Sequence, residues 1–429
     1  MQNTVNVGES NVRLLTYNLF IRPPGIRNNK DDYKDERIEC LINDRLAPKV
    51  LKKVESDNEG VPNSRYRIDL SKFPNVPFLS PWRTPYHHHN SKKHMNGMDQ
   101  FHQDSRFEDT PTSSILGAFD IVCFQELFSA FSYRQRRLIE KAKTLGFSYS
   151  ATSPLPPYFK STFLVDGGLV VISRYPIVDS SYLMFTQGVD SDMLASKGVL
   201  YCKIKLPNHQ LIHLFTTHLQ ASYINPNALT DTNVRNDGVR TVQLNQLREF
   251  ILEKTYQDAH PIILAGDLNV DARVAKDNGK SDSPAYLEML DILSKPNPKY
   301  TKDCVLEKLS LNTDGLLYSI HDSLKSDIGV HPPTVGDIYY KKDSMDRLNK
   351  LPRETELTNK NDYMCMKRLD YILFFDRQFT YNNSLPSTSI IYKQNSTKVE
   401  PFFIDGFPFT QLSDHYGVST ILQTSESSK

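Results

Sequence analysis

Eight polar residues of this chain stand at the ends of short apolar runs. They are Asn18 in TYNLF, Glu126 in CFQELF, His218 in TTHLQ, Asp267 and Asn269 in AGDLNV, Asp370 in RLDYIL, and the adjacent Asp414 and His415 in SDHYG. Burying an acid or amide at the end of an apolar strand is costly unless the group is paired or coordinated, so the repetition points to one shared polar site. The residue types suit metal-assisted hydrolysis of a phosphodiester. A hard cation such as Mg²⁺ takes oxygens from a few carboxylates and amides while keeping waters and substrate oxygens, and Glu126, Asn18 and Asp414 are the candidate ligands. His415, with an ordinary pKa of about 6.5, is neutral often enough at pH 7 to deprotonate the attacking water. Asp370 is suited to orient that imidazole through its other ring nitrogen. Asp267 would position the water and Asn269 would donate to a phosphoryl oxygen, while His218 would donate to the same phosphate or assist the leaving alkoxide.

Holding such a set together requires strands whose ends meet. Apolar runs rich in β-branched and aromatic residues recur at 12–20, 119–127, 168–173, 198–206, 211–219, 261–270, 368–375 and 417–423. The fourth and fifth are linked by PNHQ, which predicts an antiparallel hairpin and argues against a purely parallel sheet. Helical spacing appears in DDYKDERIECLINDRL and in VRTVQLNQLREFILEK, giving a mixed α/β chain. Residues 52–117, rich in Pro, Asn, Ser and His, and residues 271–362, polar and lysine-rich, fit this rhythm poorly and read as rim insertions. The PYHHHN run lacks the spacing that surrounds one ion and reads as a polar loop. Phe73, Phe78, Trp82 and Tyr86 punctuate a proline-rich stretch, where two readings stay open: anchoring at a lipid interface, or packing of the loop onto the body.

Composition narrows the classes. The 429 residues are 39% hydrophobic and 24% charged, and 51 Lys plus Arg against 50 Asp plus Glu leave a net charge of +1. No basic excess or stripe is visible of the kind that phosphate-driven DNA binding needs, which counts against a nuclease. The five cysteines are odd in number and dispersed, matching neither a disulfide framework nor a zinc spacing, and they fit a reducing, cytoplasmic location. The N-terminal MQNTVNVGES lacks a basic segment followed by an apolar one, and no apolar run is long enough to span a bilayer. Membrane contact is therefore expected to be peripheral.

The ordered motifs TYN, QE, SRYPI, THLQ, GDLN, RLDYIL and SDH resemble the endonuclease/exonuclease/phosphatase superfamily, the deoxyribonuclease-I-like fold of Mg²⁺-dependent phosphoesterases. The resemblance implies an α+β fold, a four-layer α/β/β/α sandwich with the site where strand ends of both sheets meet. It implies a single catalytic domain over 1–429, core about 12–423, enclosing two large insertions at about 52–117 and 271–362. DGGLVVISRYPIV, GVDSDMLASKGVLYCKI and LFTTHLQASY are similar more narrowly to neutral sphingomyelinases. In that family an Asp and a Lys five positions apart act together, which implies a substrate-binding pair of Asp192 and Lys197, the lysine exchanging its partner for the substrate phosphate. The resemblance further implies Mg²⁺, or Mn²⁺, as cofactor and a sphingolipid at a membrane surface as substrate, with no nucleic acid. Two alternatives stay open: a nucleic-acid phosphodiesterase of the same superfamily, and a catalytically inactive binding module.

Overall fold

The computed structural model describes residues 10–24, 32–42, 66–67, 114–156, 163–222, 232–258, 260–296, 318–343, 345–377 and 391–424. The aromatic stretch with Phe73, Phe78, Trp82 and Tyr86, the PYHHHN run and Cys304 lie outside the described residues.

The apolar runs fold into two sheets. The strands are β1 (Ser10–Ile21), β2 (Ile121–Leu127), β3 (Tyr149–Thr152), β4 (Val170–Ser173), β5 (Ile177–Met184), β6 (Gly198–Lys205), β7 (Leu211–Thr217), β8 (Ile262–Asp267), β9 (Tyr318–Asp322), β10 (Asp370–Arg377), β11 (Ile391–Tyr392), β12 (Lys398–Glu400) and β13 (Gly417–Thr424). One sheet runs β11-β13-β1-β2-β4-β3, with β12 also on β13; the other runs β9-β10-β8-β7-β6-β5. β1 pairs in parallel with β2, and β7 with β8, while the other main neighbours are antiparallel, including the expected β6–β7 hairpin. The helices are α1 (Lys34–Ile42), α2 (Arg134–Thr144), α3 (Thr232–Thr255), α4 (Pro284–Ser294) and α5 (Ser323–Ile328).

Because successive side chains of a strand point to opposite faces, strands apolar at every position must be covered on both sides. Val12 and Leu14 of β1 face inward with Ile121, Cys123, Leu200, Cys202, Leu214, Ile263, Ile372 and Val418, so this core lies between the sheets. Leu15 and Tyr17 face outward, where Ile38 and Leu41 of α1 and Leu138 and Ala142 of α2 cover them. On the other side Leu244, Leu247 and Phe250 of α3 and Met289 and Leu293 of α4 cover Tyr201, Phe215, Leu264 and Leu373. The expected α/β/β/α sandwich is thus built from three apolar layers.

The stretch 271–362 departs from its reading as rim decoration. It supplies α4, the sheet strand β9 and α5, and His331 and Thr334 beyond them are fully buried. Lysine-rich flanks masked these elements in the sequence. Arg174 secures its turn: its guanidinium donates to the carbonyls of Phe119, Leu145 and Gly117.

Candidate active site

The strand ends of both sheets converge on a cavity of about 740 Å³ lined by Glu126, Lys197, His218, Asp267, Asn269, Asp414 and His415 among others. Register explains much of this convergence. Asp370 faces Asp267 across the antiparallel β10–β8 ladder, and His218 bridges Asp267 just beyond β7. Asn18 pairs with Gln125 along β1–β2, which leaves Glu126 one residue further on and beside it. Gln125 itself is buried between the sheets, where its amide donates to Thr16 Oγ1 at 3.1 Å and Thr216 Oγ1 at 3.0 Å. Glu126 and Asn269 hold left-handed φ values of 53° and 49°, a conformation that asparagine tolerates and glutamate rarely adopts, and one frequent at functional sites.

Asp267 is the hub. Its Oδ2 accepts from Asn18 Nδ2 at 3.0 Å and lies 3.5 Å from His218 Nε2 and 3.7 Å from His415 Nε2. His415 Nδ1 sits 2.9 Å from Asp370 Oδ2, so Nε2 is the nitrogen left facing the cavity side of Asp267. Polar contacts at such a separation are the usual setting for a bridging water. Burial pushes the Asp267 carboxyl up to about 7, reinforced by Asp370 and opposed by His415 and by hydrogen bonds from Asn18 and Asn269. Burial alone would lower the His415 pKa, but Asp370, Asp267 and Asp414 overcome it and carry the imidazole well above its ordinary value. The surrounding carboxylates thus favour the imidazolium over the neutral form expected of a base.

Lys197 and Asp192 are in the site. The Lys197 ammonium, expected to be solvated if it had no role, is buried; it donates to Asp192 Oδ2 at 2.8 Å and Leu219 O at 2.9 Å, and lies 3.2 Å from His218 Nε2. An ammonium has only protons to offer, so His218 Nε2 is the acceptor and its proton sits on Nδ1, which is buried with no hydrogen-bond partner among the described residues. Burial, then Lys197 and His415, push the His218 pKa well below 6.5. With Nε2 accepting from Lys197, the proton-bearing group at this point of the cavity is the ammonium beside His218. Asn269 uses one amide proton on Leu219 O at 3.0 Å, leaving the other for a ligand.

The proposed metal ligands fit a cation in part. Asp414 is pushed up to about 6 by burial, with His415 opposing and Glu126 adding repulsion, and both carboxylates line the cavity. That is the charge a divalent ion would neutralise. Asn18, however, turns its NH₂ to Glu126 Oε1 at 3.2 Å and to Asp267, while its Oδ1 accepts from Phe20 N at 3.1 Å. It orients those carboxylates as it stands, and would offer a cation its oxygen only with the amide turned over. Asp267, Asp370 and His415 form a second group whose ligand atoms lie within 4.8 Å of one another. The hydrogen bond occupying His415 Nδ1 favours reading that group as a proton relay.

Sequence reasoning missed Arg37. It is wholly buried in α1 and donates to four backbone carbonyls, of Leu19, Phe20, Asp32 and Leu412, so it clamps the exit of β1 to the SDH loop. The signal was present as an arginine on the apolar face, one turn before Leu41. Arg240, on α3, was also missed; it holds Gln220 O and Ser222 Oγ, both at 2.9 Å, beside the cavity.

A sequence profile of the endonuclease/exonuclease/phosphatase family matches residues 105–415. Among known proteins, a sphingomyelinase of Dictyostelium discoideum is 50% identical over 96% of this chain and 98% of its own. A sphingomyelinase C of Bacillus cereus is 33% identical over a local stretch, 37% of this chain and 42% of its own. Among solved structures, beta toxin of Staphylococcus aureus superposes with a TM-score of 0.51 at 16% identity, over 95% of this chain and 99% of that one, a likeness of fold.

Proposed function

The chain belongs to the endonuclease/exonuclease/phosphatase family as a sphingomyelinase-like phosphoric diester hydrolase, and from that premise we propose that it hydrolyses sphingomyelin to ceramide and phosphocholine. The observation that carries this reading is the placement of the His415–Asp370 pair, Asp267 and the Asp192–Lys197 pair around one cavity. In this mechanism His415, oriented by Asp370, takes the proton of a water held against Asp267. The water oxygen bonds to phosphorus as the bond from phosphorus to the ceramide oxygen breaks, the ceramide oxygen takes a proton from solvent to leave as the alcohol, and His415 returns its proton to solvent. Lys197 turns from Asp192 to the phosphoryl oxygens, and the free amide proton of Asn269 donates to one of them. A divalent cation, Mg²⁺ in our reading, would be held by Glu126 and Asp414 with Asn18, and would supply positive charge to the phosphodiester and to the departing oxygen. The same positive charge would lower the pKa of His415 toward the neutral form that a base requires.

The rim of the cavity supports a lipid substrate. Phe131, Leu164 and Leu194 line it and are 76%, 58% and 41% exposed. Their loops are tied together: Ser129 and Ala130 N donate to Asp166 Oδ1 at 2.9 and 3.0 Å, and Leu164 N donates to Leu194 O at 2.8 Å. A fixed apolar rim around a polar site suits a substrate presented in a membrane surface, and we assign the protein to peripheral contact from the cytoplasmic side. Among the described residues no helix is long and apolar enough to cross a membrane. The test is incubation with sphingomyelin vesicles and Mg²⁺, followed by identification of ceramide and phosphocholine. Hydrolysis of DNA with sphingomyelin left intact would replace this reading with the nucleic-acid alternative.

A further inference from the structure

We propose that Thr334 is a positioning residue for the Asp370–His415 pair. Asp370 opens β10 in one sheet and His415 precedes β13 in the other, so neither ladder by itself sets the distance between them. The segment 331–337, HPPTVGD, crosses this gap. Thr334 is fully buried, and its Oγ1 accepts from Leu369 N at 3.0 Å and Asp370 N at 3.2 Å. Its carbonyl accepts from Tyr416 N at 2.7 Å, and its own N–H donates to Lys367 O at 2.8 Å. Val335 beside it bridges both Lys367 and His415. One residue therefore hydrogen-bonds the backbone at the acid on one sheet and the backbone next to the histidine on the other.

Both ends of the segment are anchored. His331 Nδ1 lies 2.6 Å from Arg368 Nη1, and its Nε2 lies 2.7 Å from Asp282 Oδ1. At the other end Asp337 Oδ2 accepts from Tyr416 Oη at 3.0 Å and Arg353 Nε at 2.6 Å. Gly336, at φ 70°, has Cys365 O 1.9 Å from where a Cβ would stand, so the chain passes with no room for a side chain. Pro332 and Pro333 restrict the backbone leading into Thr334. A strap held at both ends transmits its geometry to the pair it joins. Only a hydroxyl at 334 offers an acceptor to the two amides at the start of β10, which valine of the same shape does not.

The inference rests on reading His415 with Asp370 as the base, and its test separates the two. The probes are sphingomyelin turnover and the downfield imidazole Nδ1–H proton resonance of His415. Thr334→Val should lower kcat at least tenfold with KM within twofold, and should lose or shift the resonance. Thr334→Ser should keep kcat within threefold and the resonance in place. In an Asp370→Asn background, Thr334→Val should cost less than a further twofold. The proposal is overturned by wild-type kcat and resonance in Thr334→Val, by an equal loss in Thr334→Ser, by additive losses with Asp370→Asn, or by Thr334→Val failing to fold where Thr334→Ser folds. Wild-type protein that shows the resonance but hydrolyses no phosphodiester would defeat the reading of His415 as a base, and the resonance alone would then judge the geometric claim.

Discussion

At the residue scale the account depends on which proton each histidine holds. Removing the His415 ring should lower kcat by roughly 10²–10⁴-fold, the usual worth of a general base; activity and thermal unfolding of His415→Ala are read together, because the variant also leaves the buried Asp370 without its partner. The carboxylates around His415 raise its pKa, and the base must be neutral, so kcat/KM should rise with pH along an acid limb set by this ring. Asp370→Asn removes a negative charge that favours the imidazolium, so the limb should move to lower pH while the maximal rate falls. A limb that stays in place would assign it to another group. Lys197 is fixed by Asp192, Leu219 O and His218, and Lys197→Met should lower turnover while the apolar stem keeps its packing. The eight site residues at strand ends were legible because polar groups there are conspicuous. Asp192 and Lys197 were reached through family likeness alone, since neither residue type in a loop announces burial.

At the element scale, the strands buried on both faces could be read directly from apolar runs such as those of β1, β8 and β10. β3 and β5 could not, because they lie at sheet edges and carry mostly exposed or half-buried residues. β9 and α4 were hidden in a polar stretch, and a lone threonine after two prolines gives no sign that it joins two sheets. The buried polar anchors yield two stability predictions. Arg37→Met leaves several carbonyls at the end of β1 and in the SDH loop without a donor, at a cost of about 3 kcal/mol in urea unfolding. Asp322 caps α5 and pairs with the buried Arg368, its Oδ1 lying 2.6 Å from Arg368 Nη2. Burial raises the Asp322 carboxyl, but Arg368 and the hydrogen bonds outweigh it and hold the carboxyl below its ordinary value. Its contribution is therefore present above the unfolded pKa of about 3.9 and is lost as pH falls below it. Asp322→Asn should destabilise the protein by about 3–5 kcal/mol at neutral pH, and the difference from wild type should shrink below about pH 4. Urea unfolding at a series of pH values reads both.

At the scale of the whole molecule, the two sheets bring the His415–Asp370 pair, Lys197 and the carboxylates of Glu126 and Asp414 to one mouth with an apolar rim. Replacing Phe131 and Leu194 by Ala should weaken vesicle binding, read by sedimentation, while hydrolysis of a soluble phosphocholine ester continues. Equal binding by the variant would remove the rim from the account. Chelation should abolish turnover and Mg²⁺ should restore it, in keeping with the repulsion between Glu126 and Asp414. The most direct measurement is product analysis after the purified protein meets sphingomyelin vesicles with Mg²⁺, alongside His415→Ala at equal concentration. The account predicts ceramide and phosphocholine in equal amounts from the wild type and almost none from the variant. Intact sphingomyelin with the wild type, or equal turnover by the two proteins, would contradict it.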